Sequence, residues 1–244
     1  MSDTNFTGKN ILVVGGSSGI GNGIAQGFCL RGANVAVWGT RARASDYEGV
    51  EGSNLTGLQY SCVDVSDADA IVKAAAEHGS LDVLVLAQGI LVPGGAEFER
   101  KNWNKVMAVN LDSLIHCCNA FRSALRETCG SIIIVGSAAA IRTAPEQPAY
   151  SASKGAAASL VKNLASTWAA EGIRVNGIAP GFVHTKLASH VTGDAAVLGQ
   201  ILPTIPARRL GEPSEMAGAA VFLASPLASY VHGHMLVVDG GVTV

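Results

Sequence analysis

The chain has 244 residues, 48% hydrophobic and 15% charged, enough apolar material for one large α/β core. Its formal net charge is −2 and it carries no long basic run, which argues against nucleic acid or an anionic membrane surface as a partner. Its apolar runs are strand-sized, far short of the ~20 residues of a membrane span.

Ile11 to Val14 is a short run rich in β-branched residues, broken at once by glycines, and reads as a first strand. Ile20 to Leu30 reads as a helix, with Gly32 near its C-terminal end. Val35 to Trp38 and Leu58 to Val63 are the second and third strands, and Asp64-Val65-Ser66-Asp67 then opens a helix through Ala76. Leu81 to Leu86 is a fourth strand and Ile132 to Val135 a fifth, with a helical stretch from about Trp103 to Arg126 between them. Tyr150 to Ala170 is the next helix, followed by a strand at Ile173 to Ile178, a helix from about Pro213 to Ala224 and a last strand at Met235 to Val238. Val/Ile/Leu strands alternating with helices predict a doubly wound parallel sheet of seven strands, covered on both faces. No linker or repeat interrupts the alternation, so residues 1–244 are read as a single domain. Thr185 to Leu210, which contains Pro203 and Pro206, is the least regular segment and reads as a mobile substrate flap at about 185–210.

Two local patterns carry chemistry. Gly15-Gly16-Ser17-Ser18-Gly19-Ile20-Gly21 sits between the first strand and the first helix. Glycines there let the backbone approach a pyrophosphate, and the helix N-terminus offers free N–H groups. Tyr150 and Lys154 stand four apart, one helical turn, on the same face. An ammonium beside a phenol favours the phenolate, so the spacing predicts a Tyr150 pKa lowered toward neutrality and usable in acid/base work. Each pattern alone also describes an ordinary βα turn or a solvated helix face.

Together, the glycine turn, Ser137, Tyr150 and Lys154 resemble the short-chain dehydrogenase/reductase family, in the manner of its 3-oxoacyl-carrier-protein reductases. Gly15, Gly19, Ile20 and Gly21 match the family's turn, with Val14 in place of its threonine. The family's Asn-Asn-Ala-Gly appears as Leu86-Ala87-Gln88-Gly89, so only Gly89 is kept. Asn110 and Ser137 match the remaining members of the catalytic tetrad. Pro180-Gly181, followed by Val183 and Thr185, is similar to the loop beside the nicotinamide amide, and Val238-Asp239-Gly240-Gly241 to the C-terminal signature. The resemblance implies a Rossmann fold and hydride transfer between a nicotinamide cofactor and a carbon bearing oxygen. It implies that Tyr150 is the general acid/base, that Lys154 lowers its pKa and holds the nicotinamide ribose, that Ser137 donates to the substrate oxygen, and that Asn110 fixes a water in a relay to Lys154.

The cofactor choice turns on the end of the second strand. A carboxylate there binds the ribose hydroxyls of NAD, and an arginine welcomes the 2′-phosphate of NADP. The sequence runs Gly39-Thr40-Arg41-Ala42-Arg43, with no carboxylate before Asp46, so NADP is expected, held by Arg41 with Thr40 or Arg43. NAD is the alternative, since Ser18 is neutral where the family has a second basic residue. Asp64 and Val65 resemble the pair that contacts adenine, although Asp64 also suits an N-cap.

The pocket is expected from Ile90 to Phe98, Ala138 to Gln147 and Phe182 to Leu202, largely apolar through Ile90, Leu91, Ile141, Phe182 and Val183. An uncharged ketone or secondary alcohol fits that wall, although Arg142 and Lys186 are nearby. His232 and His234 form no recognisable metal set, and Cys117-Cys118 reads as small buried apolar residues. Five scattered cysteines, and an N-terminus without a secretory pattern, predict a reducing, cytoplasmic setting. The family implies a homotetramer. Two other readings stand beside this one: an NAD-dependent dehydrogenase of a sugar, steroid or cyclic diol, and a catalytically silent dinucleotide sensor.

Overall fold

The structure is a computed structural model that describes residues 3–142, 144–188 and 193–244. Seven strands form one sheet: β1 (Asn10–Val14), β2 (Asn34–Gly39), β3 (Gln59–Cys62), β4 (Val83–Leu86), β5 (Ser131–Val135), β6 (Arg174–Pro180) and β7 (Met235–Val238). Their spatial order is β3-β2-β1-β4-β5-β6-β7 and every pair is parallel. The order reverses between β1 and β4, where a doubly wound sheet opens a crevice at the C-terminal strand ends.

Alternation along each strand assigns the two cores. Leu12 and Val14 of β1 pack on one face with Leu84, Leu114, Phe121 and Val161. Ile11 and Val13 pack on the other with Ile24, Phe28, Val85 and Val221. Each such side chain contributes about 1.5–3 kcal/mol on full burial. The first face is covered by α2 (Ala68–Ala76), α4 (Ser113–Thr128) and α5 (Pro148–Trp168), the second by α1 (Gly19–Cys29) and α7 (Pro213–Ala224). Cys117 and Cys118 lie buried in the first core, and burial pushes the Cys117 thiol up to about 12. Arg174, at the start of β6, donates to the carbonyls of Leu223, Ala224, Ser225 and Ala228, which ties the sheet to the end of α7.

Two expected elements differ. The stretch read as one helix from Trp103 to Arg126 is α3 (Arg100–Met107), a wide π turn (Ala108–Asp112) and α4. A π turn holds one residue more than an α turn and changes the direction of the next helical turns. The segment 185–210, expected as the least regular, carries short regular pieces among its described residues. It contains a single turn at Lys186–Ala188 and a helix, α6 (Ala195–Ile201), whose N-terminus is capped by the Asp194 carboxylate. Its ends are brought together where Phe182 and His184 bond to Gly211. Residues 189–192 of the expected flap lie outside the described residues.

Candidate active site

The crevice is a cavity of about 960 Å³. On one side it is walled by Gly15, Ser17, Ser18, Gly19, Ile20 and Gly21, with Thr40, Asp64 and Val65 farther along. On the other stand Gly89, Ser137, Tyr150, Lys154, Pro180, Gly181, Val183 and Thr185. Seventeen of the nineteen catalytic and cofactor residues expected from the sequence therefore meet in one space; Arg41 and Asn110 do not line it.

The glycine turn is built by crowding. Gly15 has φ +74°, and a Cβ there would lie 2.7 Å from the backbone nitrogen of Gln88. A Cβ on Gly21 would sit 2.2 Å from the Gly15 carbonyl oxygen. Asn22 locks the turn from behind, donating to the Gly16 and Asn54 carbonyls. Ser18 is the N-cap of α1 but makes no side-chain capping bond, so the helix end keeps donor capacity toward the cavity. These features fit the pyrophosphate of a dinucleotide.

At the end of β2 the arrangement departs from expectation. The Arg41 guanidinium does not reach into the cavity. It donates to the Asp46 carbonyl and lies 4.6 Å above the Tyr47 ring. A short turn, Ala44–Tyr47, brings that ring back to the strand, and cation–π attraction then holds the arginine outside. The Tyr47 hydroxyl accepts from the Thr40 and Arg41 N–H groups at 3.3 and 3.4 Å and also hydrogen-bonds Ser17. A Cβ on Gly39 would meet the Ser17 and Tyr47 oxygens at 2.6 and 2.7 Å, so hydroxyls occupy the place of a strand-end carboxylate. Thr40 itself lines the cavity as expected. Asp64 lines it too, and does not cap α2. Its carboxylate accepts from the Ser66 N–H and hydroxyl, which hold it below the usual carboxylate range, while Asp67 is the cap.

Ser137, Tyr150 and Lys154 converge from the end of β5 and the first turns of α5. Ser137 takes the Ala139 N–H in a local turn and also hydrogen-bonds the Tyr150 phenol, so capping and facing the site coexist in one side chain. Lys154 is only 4% exposed. Its ammonium donates to the Val135 carbonyl at 2.9 Å and lies 5.7 Å from the centre of the Tyr150 ring. Burial depresses Lys154 to about 8.

The phenol shifts in the direction opposite to the sequence expectation. Burial raises the Tyr150 pKa above 10, the Ser137 hydrogen bond lowers it, and the Glu97 carboxylate raises it again. Desolvation of the phenol outweighs the Ser137 bond, and Lys154 is itself poorly solvated. Within its protein surroundings Tyr150 is a neutral proton donor.

Asn110 is fully buried behind this wall, in the π turn. Its carboxamide accepts from the Ile90 N–H at 2.8 Å and donates to the Ile90 carbonyl and to Ser153. Ser153 in turn donates to the Tyr150 carbonyl. A Cβ on Gly89 would touch both Lys154 Nζ and Asn110 Oδ1, so the amine and the carboxamide flank that glycine. Gln88, in place of the family's alanine, donates to Ser113 at 2.8 Å and joins β4 to α4.

The substrate side combines Ile90, Leu91, Ala138, Ala139, Phe182 and Val183 with Arg142, Gln147 and Lys186. Ile141 and Phe98, expected there, are exposed and point elsewhere. One buried polar residue, Glu97, has no counterpart in the sequence reading; its carboxylate accepts the Val92 and Tyr150 N–H groups. Val92 is five residues away and Tyr150 is 53, both bond through backbone N–H groups, and no local motif marks the pairing. Among the described residues no three His, Cys, Asp or Glu side chains gather as a metal site, and no helix is long and apolar enough to cross a membrane.

Residues 14–243 match the family model described as enoyl-(acyl carrier protein) reductase. The 2-dehydro-3-deoxy-D-gluconate 5-dehydrogenase of Bacillus subtilis is 40% identical over 241 residues, covering 96% of this chain and 94% of that one. The 3-oxoacyl-acyl-carrier-protein reductase FabG of Chlamydia muridarum is 36% identical over 242 residues, with 96% and 97% covered. A crystal structure of a 2-deoxy-D-gluconate 3-dehydrogenase, so named provisionally, from Agrobacterium tumefaciens with bound NADP superposes with a TM-score of 0.88 at 36% identity, covering 99% of each chain.

Proposed function

The chain belongs to the short-chain dehydrogenase/reductase family, and on that premise we propose that it moves a hydride between NADP(H) and a ketone or secondary alcohol. The observation that carries this reading is the meeting of Ser137, Tyr150 and Lys154 on the wall of the cavity that also holds the glycine turn. When bound, the nicotinamide gives or takes the hydride at C4 and, oxidised, brings a positive charge.

The chain's own residues then divide the work. Gly15 to Gly21 and the start of α1 take the pyrophosphate, Asp64 and Val65 the adenine side, and Pro180, Gly181, Val183 and Thr185 the nicotinamide amide. Lys154 holds the nicotinamide ribose hydroxyls. Ser137 donates to the substrate oxygen, as an oxyanion donor does. Tyr150, neutral at rest, gives its proton to that oxygen as a carbonyl is reduced, and a nearby positive charge favours the phenolate left behind. Asn110 and Lys154 lie on the path by which a water relay restores the proton.

NADP is favoured because a 2′-phosphate meets no carboxylate at the strand end, where Ser17, Thr40 and Tyr47 offer only hydroxyls and N–H groups. The apolar wall suits an uncharged carbonyl compound. A second reading, an anionic sugar acid, is supported by Lys105, Arg142 and Lys186 lining the cavity, while Asp64 is the only carboxylate there among the described residues. Segment 185–210 serves as the cover of the substrate side. The proposal places the protein in the cytoplasm, in keeping with five free thiols. It also makes the protein a homotetramer, in keeping with exposed Phe222, Leu227, Tyr230 and Val237 near the C-terminus.

The test is Tyr150→Phe, assayed by absorbance of the reduced cofactor over a panel of uncharged ketones and keto-aldonates. Turnover is lost while NADPH binding, measured by tryptophan quenching, stays nearly intact. An undiminished rate refutes the role given to Tyr150, and tighter binding of NADH than of NADPH refutes the cofactor.

A further inference from the structure

A carboxylate as deeply buried as that of Glu97 persists only where its oxygens are satisfied. Its Oε1 accepts the Val92 N–H at 3.1 Å and its Oε2 the Tyr150 N–H at 2.9 Å. The first bond fixes the loop after β4 that carries Ile90 and Leu91 into the cavity wall. The second fixes the first turn of α5.

That turn lacks a partner of its own. The N-cap, Gln147, makes no side-chain capping bond, and Pro148 at the first position has no N–H. Tyr150, third in the helix, therefore presents one of the donors that a helix leaves unpaired. A Ser or Asp at the cap ordinarily takes it; here Glu97 takes it from 53 residues away. A negative charge at this end also complements the helix dipole.

We infer that Glu97 is the positioning residue of Tyr150, holding α5 and the substrate-facing loop in one fixed register. The inference rests on the hydride-transfer reading, but Glu97 acts through Tyr150 and lines no part of the cavity. The groups around it are few. Tyr150 faces it from α5, Ser137 is bonded to the phenol from the end of β5, and the Lys154 ammonium lies over the Tyr150 ring and donates to Val135. On its own turn and on α3, which packs against that turn, Glu99, Arg100, Lys101 and Lys105 are exposed. Among the described residues no cation pairs with Glu97. Its charge therefore acts on the phenol without a counter-ion, and it increases the proton affinity of Tyr150.

Two substitutions separate charge from reach. Glu97→Gln keeps the size, removes the charge and turns an amide NH2 toward one of the two N–H donors. Glu97→Asp keeps the charge and draws it back. The measurements are hydrogen exchange in the cofactor-free protein over 90–97 and 148–153, NADPH binding, and the pH profile of kcat. Both variants are expected to lose about tenfold in exchange protection at both segments, as release of a local bond does. Both are expected to bind NADPH within about twofold of wild type and to lose about tenfold or more in kcat. The basic pKa of the kcat profile falls in Glu97→Gln and stays in Glu97→Asp, a split that a loss of packing alone does not produce. Wild-type exchange at both segments, or an unmoved pH profile in Glu97→Gln, overturns the inference. Should Glu97→Gln not fold, Glu97→Asp carries the exchange and kcat tests. Exchange needs no substrate, so a wild type without turnover counts against the hydride-transfer reading alone.

Discussion

Replacing Lys154 with methionine is expected to remove activity and yet stabilise the cofactor-free protein at neutral pH. Lys154 falls from 10.5 to about 8 because burial strips water from its ammonium. At about 1.4 kcal/mol per pKa unit, that fall corresponds to roughly 3 kcal/mol of destabilisation whenever the folded lysine is charged. Methionine has a similar shape and no charge, but it loses the bond to the Val135 carbonyl, which costs about 1 kcal/mol. The net expectation is a variant about 2 kcal/mol more stable than wild type below pH 8. The sign then changes with pH. Between pH 8 and 10.5 the unfolded lysine keeps a proton that the folded one has released, so wild-type stability rises relative to the variant. Above that window wild type is ahead by about 1 kcal/mol, the worth of the remaining hydrogen bond. Urea unfolding of both proteins at pH 7, 8, 9 and 10, read as a difference so that other titrations cancel, checks this. A difference that stays constant across the series refutes the claim that Lys154 is held against its solvation.

Gly15→Ala forces a Cβ to φ +74° and to within 2.7 Å of the Gln88 backbone. It is expected to cost about 2–4 kcal/mol in urea unfolding and to weaken NADPH binding in a fluorescence titration. Arg174→Met removes the donor shared by four carbonyls at the end of α7 and is expected to cost about 3 kcal/mol or more. Because that cluster is far from the cavity lining, KM for NADPH should remain at the wild-type value in the folded fraction.

The features legible in the residues alone were those that depend on neighbours in the chain. Tyr150 and Lys154 share a face because four residues make one turn, and the glycine turn comes directly after its strand, so both were legible. Most of the strands were legible because Val, Ile and Leu at both faces of a covered sheet leave continuous apolar runs; β3, Gln-Tyr-Ser-Cys at the exposed edge, is not such a run. Arg41 was misplaced because its direction is decided by Tyr47, which a short turn carries back over the strand end. The π turn at Ala108–Asp112 was missed because Ala-Val-Asn-Leu-Asp has ordinary helical character. The sense of the Tyr150 shift was wrong because spacing reports that a charge is near, not how much water both groups have lost. Glu97 was invisible for a related reason: its partners are backbone amides, which every residue except proline possesses.

The crowding at Gly39 sets a constraint on redesign. Exchanging that glycine for aspartate is the obvious single step toward a different nicotinamide coenzyme, yet the Ser17 and Tyr47 oxygens already fill the volume it needs. Both side chains have to be trimmed or moved before the acid is introduced, so the changes are ordered. A library that varies position 39 by itself will return mostly damaged proteins, and the useful combinations will be found only where positions 17 and 47 vary with it.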